Sequence, residues 1–215
     1  MIITKIEPQK KHKNRSSIFL DGQFFFGISD FDVFRYHLKE GQELSENDLE
    51  TIRNEVLFQD AKQYALQLLD RQSYTEKALC RKMKERGCEP AAIDNTIVFL
   101  KEYGYLDDTA YARHYIAAAL RSGKSGLKKI QYDLQQKGIN RDIVEEITIE
   151  LDREALINNE QTVVLPLLIK KLKGDFSFKS IMKAKRYCLS RGFSHEAIEK
   201  ALSGIKTCED EWIND

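Results

Sequence analysis

The sequence lacks the long apolar run that a membrane-spanning helix requires. Its apolar stretch at residues 163–169 is short and is interrupted by Pro166, whereas a spanning helix needs about 18 or more apolar residues in succession. Residues 1–6 also lack the charged start, apolar core and cleavage site of a signal peptide. We therefore expect a cytoplasmic protein that makes no contact with membranes.

Cysteine and histidine are scarce, with four of each, and their spacing fits none of the common metal motifs. No two cysteines form a CxxC pair, and no histidines follow at zinc-finger spacing. Cys80 and Cys188 fall on apolar faces of predicted helices, which favours buried, reduced thiols. We expect neither a metal ion nor another cofactor.

The sequence has no excess of charge of either sign. It holds 34 basic and 34 acidic residues, yet charged residues make up 32% of the chain, compared with about 25% in an average globular domain. Zero net charge gives no general argument for nucleic-acid binding, so such an argument has to depend on local clustering. The high charge and the 42% hydrophobic content fit thin helical layers with a large solvated surface.

What the sequence does contain is a pattern of about fifty residues that recurs three times. In each copy a basic amphipathic helix ends in a basic residue plus glycine, and a second amphipathic helix begins about six residues later. Repeats of this length predict an array of helices, which favours an extended binding surface over a catalytic pocket. The copies span residues 73–100, 125–151 and 177–205 and align on Arg86-Gly87, Lys137-Gly138 and Arg191-Gly192, with Met83, Leu134 and Cys188 four residues before the glycines.

The predicted fold is mainly α, with tandem three-helix repeats that form an elongated array after a small N-terminal β-hairpin region. Asp21-Gly22 between two apolar runs predicts the hairpin turn. Capping boxes at residues 45–48 and 73–76 predict helix starts, and we expect the first of these helices to break near residues 57–60. The predicted divisions are an N-terminal region at 1–59, repeats at 60–107, 108–157 and 158–206, and an acidic tail at 207–215.

The evidence for catalysis in the sequence is weak, and we predict no catalytic residues. Asp107 and Asp108 are adjacent at a predicted helix start, where such residues more often cap the helix and complement its dipole than bind metal. The run Gly123-Lys124-Ser125 resembles a phosphate-binding loop, but Ala118 stands where that motif has glycine and a helix precedes it. The four histidines are scattered, with no serine or cysteine nucleophile near them.

Positive charge collects on the second helix of each repeat, whereas the third helix of the middle repeat is acidic. Three basic helices in register favour a surface for a phosphate backbone or for an acidic protein groove. The alternative is an ordinary solvated face on each helix, with cations near its C-terminal dipole. The candidate binding residues are Arg81, Lys82, Arg86, Lys124, Lys128, Lys129, Lys137, Lys183, Lys185, Arg186 and Arg191.

One segment resembles a known family. Residues 100–113, Leu-Lys-Glu-Tyr-Gly-Tyr-Leu-Asp-Asp-Thr-Ala-Tyr-Ala-Arg, are similar to the hallmark of the RecX family, the regulators of the RecA recombinase. The segments at 73–79, 82–87 and 134–140 fit the same family, as do N-terminal segments at 3–7, 20–22 and 38–41, so the resemblance covers about residues 1–206. The motif residues are Gly104, Tyr105, Leu106, Asp107, Asp108, Tyr111 and Ala112.

The resemblance implies a non-enzymatic protein that binds along the RecA–DNA filament, and we expect it to be a monomer. Its expected partners are the RecA filament, single-stranded DNA and double-stranded DNA. Its expected effect is to modulate, and usually to inhibit, strand exchange and the ATPase and coprotease activities of RecA. The main alternative is a sequence-nonspecific DNA-binding helical-repeat protein; a helical scaffold for an unrelated protein and a metal-dependent enzyme that uses Asp107 and Asp108 are the others.

Overall fold

The computed structural model describes residues 1–10 and 13–212, of which residues 206–212 are described by their backbone. His12, the side chain of Cys208 and the end of the predicted acidic tail lie outside the described residues. The elements in chain order are β1 (Ile3–Pro8), β2 (Arg15–Leu20), β3 (Gln23–Ser29), α1 (Asp30–Arg35), α2 (Glu46–Arg71), α3 (Glu76–Arg86), α4 (Pro90–Glu102), α5 (Asp108–Ser122), α6 (Leu127–Gln136), α7 (Arg141–Ile149), α8 (Arg153–Leu172), α9 (Phe178–Ser190) and α10 (His195–Trp212).

The N-terminal strands form an antiparallel sheet in the order β1-β2-β3. Asp21 and Gly22 take positive φ values of 46° and 84° at the turn between β2 and β3, which confirms the predicted hairpin. One face of the sheet is buried: Ile18 of β2 and Ile28 of β3 pack in a core with Leu49 of α2.

Helix α2 runs without a break from Glu46 to Arg71, over 26 residues, so the break expected near residues 57–60 is wrong. Neither proline nor glycine interrupts this stretch, and a helix without such a residue has no local reason to end. Val56, Ala61 and Ala65 are buried along it, so packing supports the helix through the expected break. Its predicted start is confirmed, because Ser45 is the N-cap and the amide of Asp48 donates to Ser45 Oγ at 3.1 Å.

Three sets of three helices follow the sheet, which confirms the predicted fold class. The end of α2 with α3 and α4 is the first repeat, α5–α7 the second, and α8–α10 the third. The second and third repeats each have their own core. The predicted boundary after residue 59 falls inside α2, which extends from Glu46 to Arg71. The predicted boundary after residue 157 falls inside α8, which begins at Arg153 and continues past Pro166. No helix of the described residues is both long and apolar enough to cross a membrane.

The chain divides into two compact units, and the division falls within α3. The first unit holds residues Met1–Ser73 and Leu79–Tyr105, and the second holds Tyr74–Ala78 and the chain from Leu106 onward. The first turn of α3 therefore belongs with α5 and α6. Each unit is described separately below.

Candidate nucleic-acid interface

The three basic helices α3, α6 and α9 end in the same backbone turn, which we call the glycine corner. Gly87, Gly138 and Gly192 have φ values of 89°, 93° and 81°, a region that a side chain strongly disfavours. The backbone amide of the residue that follows each glycine donates to the carbonyl of the residue four positions before that glycine, which closes a Schellman turn. These bonds are Cys88 to Met83 at 3.1 Å, Ile139 to Leu134 at 3.1 Å and Phe193 to Cys188 at 3.3 Å.

The corner at the end of α9 packs against the first turn of α6. The Gly126 amide donates to the Arg191 carbonyl at 2.9 Å, and the Lys128 amide donates to the Gly192 carbonyl at 3.2 Å. A Cβ on Gly192 would overlap the backbone of Lys129, and one on Gly126 would overlap the Gly192 carbonyl. Both glycines are therefore required for close approach at this contact, which we call the α6–α9 junction.

The corner at the end of α6 makes a matching contact with the first turn of α3, the α3–α6 junction. Thr75 Oγ1 donates to the Lys137 carbonyl at 2.8 Å and accepts from the Ala78 amide at 3.2 Å. Thr75 therefore caps α3, and the capping box predicted to start at Ser73 is wrong in its position. A Cβ on Gly138 would lie 2.5 Å from Lys77 Cβ, so this corner is also closely packed.

An acidic side chain completes each junction. Asp108 Oδ1 accepts from the Glu76 amide at 2.9 Å. At the α6–α9 junction Glu160 accepts from the Leu127 amide at 2.9 Å and from the Ser194 amide at 2.8 Å. A carboxylate that accepts from helix-start amides satisfies donors that have no partner within the helix.

The adjacent carboxylates Asp107 and Asp108 thus have separate roles. Asp107 is the N-cap of α5, since the Ala110 amide donates to its Oδ1 at 2.9 Å, as the sequence predicts. The junction role of Asp108 was missed. A signal for it exists in the sequence, because Asp108 and Glu160 each stand four residues before a fully buried apolar residue, Ala112 and Val164.

The two junctions bring the ends and the starts of successive basic helices together within the second unit. Arg191 at the end of α9 lies beside the Lys128–Lys129 start of α6, and Lys137 at the end of α6 lies beside Lys77 of α3. Basic residues of two helices are therefore neighbours at each junction. Sequence periodicity places the cations on the helices but does not place the helices end to end.

Four of the candidate cations have a carboxylate partner. Hydrogen bonding to Asp133 raises the pKa of Lys129, and hydrogen bonding to Glu85 raises the pKa of Lys82. The carboxylate beside each cation nevertheless offsets its field. The pairs are Arg81 to Glu85 at 3.7 Å, Lys82 to Glu85 at 2.8 Å, Lys129 to Asp133 at 2.6 Å and Lys185 to Glu199 at 2.6 Å.

The basic residue of each glycine corner lies over a tyrosine ring instead. The cationic groups of Arg86, Lys137 and Arg191 are 4.4, 5.4 and 5.6 Å from the ring centroids of Tyr64, Tyr115 and Tyr187 respectively. An aromatic face attracts a cation without neutralising it. The candidates without an ion pair in the described part of the chain are these three together with Lys124, Lys128, Lys183 and Arg186.

The motif that carries the family resemblance is mostly structural. Gly104 turns the chain after α4 with a φ of 71°, and Leu106 and Ala112 are buried. Asp107 and Asp108 make the bonds described above. Tyr111 stacks on Tyr115 with a centroid distance of 6.3 Å. Tyr105, at 56%, and Asp107 are exposed.

Family models match three stretches of the chain. They are the regulatory protein RecX N-terminal domain over residues 1–45, the RecX first three-helix domain over 61–100 and the RecX second three-helix domain over 107–147.

Relatives and solved structures match over most of the chain. A protein of Clostridium beijerinckii named "Regulatory protein RecX" is 33% identical over 208 residues, covering 94% of this chain and 95% of the relative. One of the same name from Clostridioides difficile is 30% identical over 204 residues, covering 95% of each chain. A crystal structure of a regulatory protein RecX has the same fold, with a TM-score of 0.69, 24% identity and coverage of 94% and 98%. The chain belongs to the RecX family of regulatory proteins.

Proposed function

We propose that this protein regulates the RecA recombinase by binding, as a cytoplasmic monomer, along the RecA–DNA filament. Its action is non-catalytic and inhibitory, reducing strand exchange and the ATPase and coprotease activities of RecA. Membership of a family of regulatory proteins supports the class of function. The charge arrangement of the basic helices supports the mode of binding.

The observation that carries the proposal is the end-to-end order of the basic helices in the second unit. At each junction the backbones of basic residues from two helices are in contact, so basic residues recur at intervals along a row instead of on isolated helix faces. A row of moderate contacts suits a partner that is itself a repeating polymer, because linked contacts add avidity without a deep pocket. Release of counterions from phosphates would supply much of the binding free energy.

The ion pairs support a ranking of the candidate cations by how strongly each can attract a phosphate. A cation without a neighbouring carboxylate keeps its full charge for a ligand, whereas an ion-paired one has to exchange its partner. We therefore assign the main contacts to Arg86, Lys124, Lys128, Lys137, Lys183, Arg186 and Arg191, and weaker contacts to Arg81, Lys82, Lys129 and Lys185.

The first experiment measures RecA ATPase activity on single-stranded DNA while this protein is added in amounts too small to coat the DNA. Inhibition under these conditions supports action on the filament. Inhibition that begins when free DNA becomes saturated would contradict it and would favour the alternative, a sequence-nonspecific DNA-binding protein.

The second experiment tests the assignment of the cations with Lys137→Gln/Lys183→Gln. The matched control is Lys5→Gln/Lys200→Gln, which removes the same charge from residues outside the basic helices that are ion-paired with Glu7 and Glu196. Each lost phosphate contact lowers the salt-dependence slope of single-strand binding by about 0.7, so the test variant should lose about 1.4 for two contacts. An unchanged slope, or an equal loss in the control, would reject the assignment.

A further inference from the structure

The third repeat gathers two cations on one tyrosine ring. The Lys171 ammonium of α8 lies 4.1 Å from the ring centroid of Tyr187 in α9, and the Arg191 guanidinium lies 5.6 Å from the same centroid. Arg191 Nη1 also donates to the Tyr187 hydroxyl at 3.1 Å. We call these three side chains the Tyr187 cluster, and all of them belong to the second unit.

The two cations of the Tyr187 cluster have no carboxylate partner. Neither Lys171 nor Arg191 forms an ion pair with any residue that the structure describes. Asp175, the acidic residue nearest to Lys171 along the chain, accepts from the hydroxyl of Ser180. Ser180 precedes Tyr187 by seven residues of α9, which is roughly 10 Å along the helix axis. The charge of Asp175 is therefore held at the other end of α9.

The carboxylates that follow Arg191 or lie at its junction are bound to other groups. Glu196 is paired with two other cations, at 3.6 and 3.8 Å, and the buried Glu160 accepts from backbone amides of α6 and of the α9–α10 turn. Burial raises the pKa of the Cys188 thiol, and the charges of Arg191 and Lys171 oppose that rise. The charged groups that act on this buried thiol are thus both positive.

A phosphate group fits the donors of the Tyr187 cluster. Two cations on one ring repel each other, and an anion bound to both would relieve that repulsion. The Tyr187 hydroxyl accepts from Arg191 and donates to no atom of the described residues, so its proton is available to a ligand. A tetrahedral phosphate can accept from an ammonium, a guanidinium and a hydroxyl together, whereas a planar carboxylate is matched by a guanidinium alone.

We propose that the Tyr187 cluster is a phosphate-binding site that holds one phosphodiester group of the DNA backbone. The inference rests on the DNA contact of the proposed function and adds Lys171 to it, a residue of the first helix of its repeat and not of a basic helix. At the positions equivalent to Lys171 in the first two repeats stand Gln72 and Ala119. The pair of cations is therefore a property of the third repeat.

Lys171→Gln tests this proposal, with Lys170→Gln as its matched control. Both lysines are exposed neighbours near the end of α8, so the two variants remove the same charge from adjacent positions and leave the core intact. Lys171→Gln should lower the salt-dependence slope of single-stranded DNA binding by about 0.7, the value for one phosphate contact. Lys170→Gln should leave the slope unchanged, because Lys170 contacts no aromatic ring among the described side chains.

Tyr187→Phe tests the hydroxyl as a third donor. It keeps the ring beside both cations and removes no charge, so the salt-dependence slope should stay at the wild-type value. The loss of one hydrogen bond should weaken single-stranded DNA binding by about two- to ten-fold. Unchanged affinity in this variant would contradict the site.

Three further outcomes separate the phosphate site from the proposed function. Equal loss of slope in Lys171→Gln and Lys170→Gln would reject the site, since any exposed lysine of α8 would then act alike. A loss in Lys171→Gln on assembled RecA–DNA filaments, with none on bare single-stranded DNA, would also reject it and would indicate an acidic group of the filament protein. If the wild-type protein inhibits RecA only when free DNA is saturated, the proposed function fails, while a slope lowered in Lys171→Gln alone still supports the site.

Discussion

The corners at Gly87 and Gly192 are alike in backbone and unlike in surroundings. Their φ values are 89° and 81°, and both close the same Schellman turn. A side chain on Gly87 would meet nothing within 4 Å, whereas one on Gly192 would overlap the backbone of Lys129. Glycine is thus required at position 87 for one reason, the positive φ. At position 192 it is required for two reasons, the positive φ and the close packing.

The repeats also differ in whether they carry the acidic residue that completes a junction. Four residues before the buried residues Ala112 and Val164 stand Asp108 and Glu160, but four before the equivalent Ala65 stands Ala61. The first repeat has no preceding basic helix whose amides would need an acceptor. In the first unit Arg15 of β2 donates to both oxygens of Asp60, at 2.8 and 2.7 Å, an ion pair that joins the sheet to α2.

Gly192→Ala should have the largest effect. Positive φ costs about 1 kcal/mol relative to glycine, and the overlap with Lys129 adds about 3 kcal/mol, so we expect a loss of about 4 kcal/mol in the free energy of unfolding in urea. Gly174→Ala is the control, because Gly174 has the same φ of 81° and open space around it. Equal losses in the two variants would show that φ alone explains the glycine at 192.

Glu160→Ala should follow, with a loss of about 3 kcal/mol in the free energy of unfolding. It removes a buried acceptor from two amides, those of Leu127 and Ser194, and each buried donor left without a partner costs about 1 to 3 kcal/mol. Asp108→Ala is the comparison: its carboxylate is half-buried whereas Glu160 is buried, so water can replace more of the lost bonding and we expect about 1 kcal/mol. A larger loss at Asp108 would reverse the ranking of the junctions.

Gly138→Ala should cost about 2 kcal/mol, between the values for the other two corners. A Cβ there would lie 2.5 Å from Lys77 Cβ. The outer methylenes of Lys77 can move aside and its Cβ can shift only with the first turn of α3, so the overlap costs about 1 kcal/mol beyond the about 1 kcal/mol of positive φ. Combining Gly138→Ala with Lys77→Gly, which removes that Cβ, tests the cause by urea unfolding, with Lys77→Gly alone as the reference. The double variant should regain the stability that the overlap removes but not the stability that the positive φ removes. Recovery of both would contradict this explanation.

Gly87→Ala should have the smallest effect, a loss of about 1 kcal/mol. No atom lies within 4 Å of the added Cβ, so the positive φ is the sole cost. Gly87→Asn sharpens the test, since asparagine tolerates this backbone region better than alanine and should restore part of the stability. A loss near that of Gly192→Ala would mean that the first corner is packed as tightly as the third.

Much of the fold follows from short stretches of sequence. Asp21-Gly22 sets the hairpin, Asp107 caps α5, and the glycines end the basic helices, because each of these depends on the φ values and hydrogen bonds of a few adjacent residues. The errors arose where packing overrides a local pattern. Helix α2 continues because buried residues support it, and Thr75 caps α3 where a capping box at Ser73 was expected.

The sequence by itself determined the number of repeats, the ends of the basic helices and the residues that carry positive charge. Tertiary structure alone decided that these helices meet end to end, that Asp108 and Glu160 join them, and that some cations face carboxylates while others face tyrosine rings. The physical reason is the separation along the chain between the residues that interact. Helix ends and turns depend on neighbours along the chain, whereas the junctions join residues more than 30 positions apart, which periodicity within one helix does not reveal.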